Sequence, residues 1–397
     1  MAKKDYVIGL ATGAVIAVLA CMVVQRTGIR LPFEKETVLS DPVHVNKLRV
    51  LEDLVDEIYL GRKDEEQLAE GMYKGLIYGL GDEYSCYYTA EEYEQANSSS
   101  EGTYEGVGVL LTTLEPGRYV VETCYPNSPA DLAGILEGDI IVSMNGTVYQ
   151  DLSEMVDRIH DKELSSVTFE IERKGEEGLL SITVDIANVE LPSVHAEMLE
   201  DNTGYIAITG FKAVTPGQYK EAFSTLAEEG MDRLVVDLRG NLGGYLESVC
   251  AILRDILPEG LIVYSEDKYG NREEEYCDGK HQLMFPLAVL VDGKTASASE
   301  IFAGAVQDYG IGIIVGTNTY GKGVIQSIRS FIDGSAVKLT SSHYYTPLGK
   351  DIHKVGITPD VYVESSAGSD RKSLSFEEDD QLQEAIRRLK EKERMPL

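Results

Sequence analysis

Tryptophan is absent from this 397-residue chain, and cysteine is scarce: Cys21, Cys86, Cys124, Cys250 and Cys277 are widely spread. No Cys-x-x-Cys pair or Cys/His cluster occurs, so zinc-finger and dithiol redox chemistry are not encoded, and buried free thiols are expected. His-Glu-x-x-His, the Gly-x-x-x-x-Gly-Lys-[Ser/Thr] phosphate loop and the Gly-x-Ser-x-Gly elbow are missing as well. Neither a metal nor an organic cofactor is expected. Positive charge is also in short supply. Against 67 acidic residues stand 36 basic ones, a net charge of −31. Such a surface repels phosphate backbones, which argues against nucleic-acid binding.

The length is too great for one core and points to two or three domains. Tyr6 to Val24 is a run of nineteen residues without a charge, enough as a helix to span about 30 Å. Lys3 and Lys4 before it and Arg26 and Arg30 after it leave orientation undecided by charge. An uncleaved membrane anchor is expected, with a cleaved signal peptide as the alternative. A lipoprotein, from Val18-Leu19-Ala20-Cys21, fits less well because Met22-Val23-Val24 continues the apolar run.

Two amphipathic helices follow a proline-bearing linker. Val45, Leu48, Leu51, Val55 and Ile58 line the first, and Leu68, Met72 and Leu76 the second, which ends at Gly81-Asp82. So short a pair needs another domain or another protomer to pack on. From Glu101 the pattern turns to strands: Tyr104–Leu111, Tyr119–Cys124 and Gly138–Met144, then a helix Leu152–His160 and strands Val167–Arg173 and Leu180–Asp185. This unit resembles a PDZ domain. Gly106-Val107-Gly108-Val109 matches its carboxylate-binding loop, and Ser128-Pro129-Ala130 to Asn145-Gly146 its most recognisable block. Glycines there expose backbone N–H groups to a terminal carboxylate, and the next strand's edge pairs with the peptide.

Beyond Gly204, strands alternate with helices: Gly204–Ile208, Gln218–Glu229, Leu234–Leu238, Tyr245–Leu257, Leu287–Val291 and Ile311–Val315. That order predicts a mostly parallel sheet in an α/β core. Pockets in such sheets open at the carboxyl ends of strands. There sit the Gly240–Gly244 loop and the stretch Thr295-Ala296-Ser297-Ala298-Ser299-Glu300. A hydroxyl at this strand–turn–helix junction faces free N–H groups and a helix dipole, although Ser297 and Glu300 alone fit a capping box. Lys322, between two glycines, follows an apolar strand in a charge-poor stretch. A lysine desolvated there loses its proton more easily and can act as general base. No histidine has a comparable setting. Gln326 falls on the same strand face, about 13 Å away if the chain is extended, so contact needs long side chains or a bend at Gly323.

Here the chain resembles the C-terminal processing peptidases, or tail-specific proteases, from about residue 42 onward. The matching residues are Gly81-Asp82, Tyr84-Ser85, the PDZ block, Asp237-Leu238-Arg239, Asn241, Gly243-Gly244, Thr295 to Glu300, Ala303-Gly304-Ala305 and Gln307-Asp308. They continue with Gly316, Gly321-Lys322-Gly323, Gln326, Tyr344-Tyr345-Thr346-Pro347, Gly356-Ile357 and Pro359-Asp360. The resemblance implies Ser297 as nucleophile, Lys322 as general base and Gln326 as the residue orienting the lysine. It also implies an oxyanion hole, assigned to the N–H of Ala298 with that of Gly243 or Gly244, and a structural Asp308. Leu242, Glu83 and Thr295 depart from the usual pattern. Ile159-His160-Asp161 stands where many relatives carry Ile-Arg-Gly, so coupling through that arginine is not carried over.

The expectation is thus a multidomain α/β protein. Residues 1–30 form a cytoplasmic stub and transmembrane anchor, and 31–98 a linker and helical region. The PDZ domain is placed at 99–187, the peptidase core at 188–364, and a linker with a C-terminal helix at 365–397. It would be a bacterial, single-pass serine endopeptidase with its catalytic domains outside the cytoplasm. Its substrates would be proteins with unstructured C-terminal tails, and it would form a homodimer or higher homo-oligomer. The rivals are a catalytically lapsed PDZ scaffold and a cytosolic peptidase.

Overall fold

The computed structural model describes residues 37–161, 163–366 and 375–392. The predicted anchor, Tyr6 to Val24, lies outside them. Among the described residues no helix is long and apolar enough to cross a membrane. Two compact units divide at Met72 and Tyr73.

In the first unit, helix α1 (Pro42–Ile58) begins where the Asp41 carboxylate accepts the Val43 N–H, with Pro42 at its first position. Leu48, Leu51 and Ile58, on its predicted apolar face, are exposed. Helix α2 (Glu65–Tyr78) runs across the boundary between the units.

The second unit opens with strand β1 (Cys86–Tyr88) and helix α3 (Ala90–Glu101). The sequence reading lacked α3, whose Ser and Glu content gives no apolar stripe. Strand β2 (Thr103–Gly106) is separated from β3 (Val109–Glu115) by Val107-Gly108, so the predicted single strand breaks at the positive φ of Gly108. There follow β4 (Arg118–Cys124), α4 (Pro129–Ala133), β5 (Ile140–Met144), α5 (Leu152–Ile159), β6 (Ser166–Glu172) and β7 (Leu179–Asp185). Strands β3 to β7 form one antiparallel sheet in chain order, leaving β3 at its edge. Their inward residues Tyr119, Val121, Ile141, Val167, Phe169 and Ile171 enclose a core with Met155 and Ile159 of α5. Strand β8 (Ala187–Glu190) returns to pair with β2.

The α/β core comprises β9 (Val194–Leu199), β10 (Thr203–Ile208), α6 (Thr215–Glu228), β11 (Arg233–Asp237) and α7 (Leu246–Arg254). It continues through β12 (Gly260–Asp267), β13 (Arg272–Cys277), β14 (Leu287–Val291), α8 (Ala298–Tyr309), β15 (Gly312–Gly316), β16 (Val324–Ser330), β17 (Ala336–Tyr345), β18 (Val361–Tyr362) and α9 (Asp380–Lys392). The predicted parallel sheet runs β18-β15-β14-β11-β10, with β9 antiparallel at one edge. Because a strand's side chains alternate, Leu234, Val236, Leu287, Val289 and Val291 pack with α7 and α8. Val235, Ala288 and Leu290 pack on Leu382, Ala385 and Leu389 of α9. Each buried leucine of α9 contributes about 2 kcal/mol. A second sheet, β1-β17-β12-β13 with β16 also on β17, was not predicted. Its strands β13, β16 and β17 mix Glu, Ser and other polar residues with apolar ones, and β12 carries only the short apolar stretch Leu261-Ile262-Val263.

Candidate active site

The carboxyl ends of β11, β14 and β15 carry the three segments that build the site. After β14, Thr295 locks the turn: its N–H and hydroxyl reach Asp292, and the hydroxyl also donates to the Leu238 carbonyl at 2.9 Å. Asp292 accepts the Gly240 N–H at 2.9 Å, and the Ala296 N–H meets the Asn241 carbonyl at 3.0 Å. The β11 and β14 loops are thereby stitched together.

Ser297 then stands just before the first residue of α8, half-buried, with φ 57° and ψ −120°. A non-glycine residue there is strained by about 1–3 kcal/mol and persists only when its neighbours fix it. The chief fixture is Glu300. Its fully buried carboxylate accepts the N–H of Ser297 (2.9 Å), Gly321 (2.7 Å) and Lys322 (2.9 Å), and the Thr319 hydroxyl (2.6 Å). Ser297 and Glu300 have the capping-box arrangement, with the Ser297 N–H on the Glu300 carboxylate, while the Glu300 N–H meets the Ser297 carbonyl at 2.8 Å. In the sequence Glu300 reads as a cap partner and as the last residue of the matching block Thr295 to Glu300, and neither shows its grip on the lysine segment.

Lys322 lies between β15 and β16, half-buried, with Nζ 5.0 Å from the centre of the Tyr84 ring. Burial lowers its pKa below 10.5, and the positive charge of Lys338 adds to this; Asp82, Glu300 and Glu83 oppose. The Tyr84 phenol is pushed up, by burial first and then by Glu83 and Tyr320. Tyr84 received no role in the sequence reading.

Two contacts that the implied roles call for are absent from this conformation. Among the described residues no hydrogen bond joins Lys322 Nζ to Ser297 Oγ or to Gln326. The Gln326 amide donates instead to the Val324 carbonyl (3.4 Å) and Thr340 Oγ1 (3.5 Å), beside a register shift between Ile325 and Gln326. That shift leaves Ser341 of β17 without a partner and sets Thr340 opposite Gln326, while Lys322 lies before the first residue of β16.

Of the proposed oxyanion donors, Ala298 is the first residue of α8, where an N–H has no partner within the helix. Gly243 (φ 102°) lies directly against Ser297. A Cβ on it would come within 2.8 Å of Ser297 Cβ and 3.0 Å of the Ala298 nitrogen. Its N–H is engaged, donating to Asn241 Oδ1 at 2.8 Å. Gly244 packs on the Phe211 backbone, where a Cβ would meet the carbonyl oxygen at 2.2 Å. Asp308 is buried, accepting the Leu348 N–H and pairing with Lys350.

In the PDZ domain, the Val107 carbonyl accepts the Ala130 N–H and that of Gly108 the Tyr125 N–H. Val109 starts the edge strand, next to exposed Leu110; α5 carries exposed Val156. The Tyr104 ring lies over Gly106. Burial pushes its phenol up to about 12, with the Gly108 N–H pulling the other way.

A PDZ domain joined to an α/β core, with a serine at a strained strand-to-helix turn, is an architecture suited to a serine peptidase. Residues 202–363 match peptidase family S41 and residues 106–184 match a PDZ domain. The carboxy-terminal processing protease CtpB of Bacillus subtilis (strain 168) is 33% identical over 325 residues, 80% of this chain and 68% of its own length. CtpA of the same organism is 29% identical over 364 residues, 91% of this chain and 77% of its own. The solved photosystem II D1 C-terminal processing protease is 27% identical, covering 80% of this chain and 86% of its own, with a TM-score of 0.47. The chain belongs to the C-terminal processing peptidases of family S41, serine-type enzymes.

Proposed function

We propose that this protein is a membrane-anchored endopeptidase that takes the extended C-terminal tail of a protein into its PDZ groove and cleaves by a Ser–Lys mechanism. Neutral Lys322 removes the Ser297 Oγ proton as Oγ attacks the substrate carbonyl, and the Ala298 N–H stabilises the oxyanion. The lysine then returns the proton to the departing amine, leaving an acyl-enzyme. A water activated by the same lysine releases the product. The observation that carries this reading is Glu300, which holds the N–H groups of both Ser297 and Lys322 on one carboxylate. The lowered pKa of Lys322 is what a base acting on a hydroxyl requires. For a second oxyanion donor, Gly243 must release Asn241. For Gln326 to orient the lysine, its amide must turn away from Thr340.

The tail carboxylate would be taken by Gly106–Val109, and the peptide would add to β3. The apolar run Tyr6–Val24 supports a single-pass anchor with the catalytic domains outside a bacterial cytoplasm. The exposed apolar face of α1 supports self-association as a homodimer or larger assembly. Protease digestion of intact cells tests the placement: an undegraded protein contradicts it.

The mechanism is tested with full-length protein digesting an unfolded polypeptide. Ser297→Ala and Lys322→Ala should each lower turnover by about 10⁴-fold or more while remaining folded. Undiminished cleavage by Ser297→Ala would sink the assignment.

A further inference from the structure

We infer that the Tyr344 hydroxyl is a positioning group for catalysis, pinning the Lys322 main chain to that of Ser297. The inference rests on the Ser–Lys reading above. Tyr344 is the penultimate residue of the long strand β17 and is 1% exposed. Its N–H donates to the Gly323 carbonyl at 3.1 Å, fixing the residue against the glycine that follows the lysine. Its hydroxyl lies 2.5 Å from the Lys322 carbonyl oxygen and 3.0 Å from the Ser297 carbonyl oxygen. One phenolic proton is therefore shared between the two residues that must exchange a proton in the reaction.

Glu300 holds the same two residues from their N–H sides. Together a carboxylate and a phenol grip both peptide groups of each residue, one through its donors and the other through its acceptors. The two grips are not redundant. The Ser297 carbonyl has further partners, the N–H groups of Glu300 (2.8 Å) and Ile301 (3.1 Å). Among the described residues, the Lys322 carbonyl has Tyr344 as its partner. Burial holds the phenol protonated, and the neighbouring Glu300 and Tyr84 act in the same direction, so it remains a donor at every working pH. Losing the hydroxyl would thus free the lysine segment while leaving the serine turn in place. The neighbouring Gly321 carbonyl is held by the Lys354 N–H at 2.7 Å, so the Tyr344 hydroxyl acts on the lysine's own peptide carbonyl. A displacement on the order of an ångström in a proton-transfer pair costs up to about 100-fold in rate.

The test compares full-length parent, Tyr344→Phe, Tyr345→Phe and Ser297→Ala. Tyr345 is the neighbouring control, stacked on Tyr264 with ring centres 4.8 Å apart. In Tyr344→Phe, kcat on an unfolded protein should fall about 10- to 100-fold with KM unchanged. Labelling by a fluorophosphonate probe should slow by the same factor, and Tyr345→Phe should match the parent. Incorporating 4-aminophenylalanine at position 344, whose amino group has two N–H donors, should recover most of the rate. A folded Tyr344→Phe protein with parental kcat overturns the inference. If Tyr344→Phe does not fold, the 4-aminophenylalanine protein decides: parental kcat supports the inference, and a folded but slow enzyme overturns it. Ser297→Ala separates the two layers. If it is inactive while Tyr344→Phe is parental, only the positioning role fails. If Ser297→Ala cleaves like the parent, the Ser–Lys reading fails with it.

Discussion

Two glycine-bearing loops in this protein are candidates to receive negative oxygen, and they are held in different ways. Gly106–Val109 in the PDZ domain is fixed through its carbonyls by Ala130, Tyr125 and Ser128, all about twenty residues downstream. Arg239–Gly244 in the core is fixed mainly by remote side chains. Asp292 takes the Gly240 N–H, and Asn241 reaches back to the Ile208 carbonyl. Arg239 sits in a buried cluster with Asp237 and with Asp379 and Gln381 from the start of α9, the last two 140 and 142 residues away. The PDZ loop is thus a local construction that one domain completes. The core loop also draws on the C-terminal segment, because without Asp379 and Gln381 the buried Arg239 guanidinium would lose two of its partners.

The contrast is broken most directly by adding one methyl group to each loop. Gly243→Ala forces a Cβ onto Ser297 and the Ala298 nitrogen. It should lower kcat by about 10³-fold with unchanged affinity for a tail peptide, as read by calorimetry. Next comes Glu300→Gln. A neutral amide presents one acceptor oxygen where the carboxylate meets four donors, so we expect about 100-fold loss of kcat and roughly 3 kcal/mol lower stability. Denaturant unfolding beside the activity assay checks both; a fully active, equally stable variant would show that the carboxylate is no clamp. Gly108→Ala drives a Cβ to 2.2 Å from Ser128 Cβ at a φ of 93°. Tail binding should weaken by about 10- to 100-fold, while fluorophosphonate labelling of Ser297 stays at the parental rate. Equal effects of the two glycine changes on both assays would abolish the distinction between the loops.

The smallest effect is in the pH profile. In the proposed mechanism Lys322 acts in its neutral form; its pKa is lowered from 10.5 mainly by burial and then by Lys338. Activity should therefore rise with pH, by at most about tenfold per unit, and level off at a midpoint below 10.5. Lys338→Met removes the like charge, so the midpoint should move upward and activity at neutral pH should drop. A profile that Lys338→Met leaves unmoved would separate this lysine from the base.

By itself, the sequence determined the parts whose causes are local. The PDZ strands, the parallel core strands, Leu287–Val291 and the helix beginning near Ser297 follow from apolar periodicity and turn residues within a dozen positions. The motif blocks likewise brought Ser297, Lys322 and Gly243 into view. What only the tertiary structure decided depends on neighbours far along the chain. The second sheet joins β1 to β17, some 250 residues apart, a pairing that no local hydrophobic pattern announces. Glu300 reads as a helix cap until Thr319, Gly321 and Lys322 fold onto its carboxylate. Gln326 falls in line with Lys322 in an extended chain, yet Lys322 precedes β16 and the Gln326 amide goes to Thr340, the residue that a register shift sets opposite it on β17. Tyr344 was one letter in a matching block; its hydroxyl acquires a role only where β17 crosses the two loops. Local residue pattern selects secondary structure, whereas buried polar groups take their partners from wherever the fold delivers them.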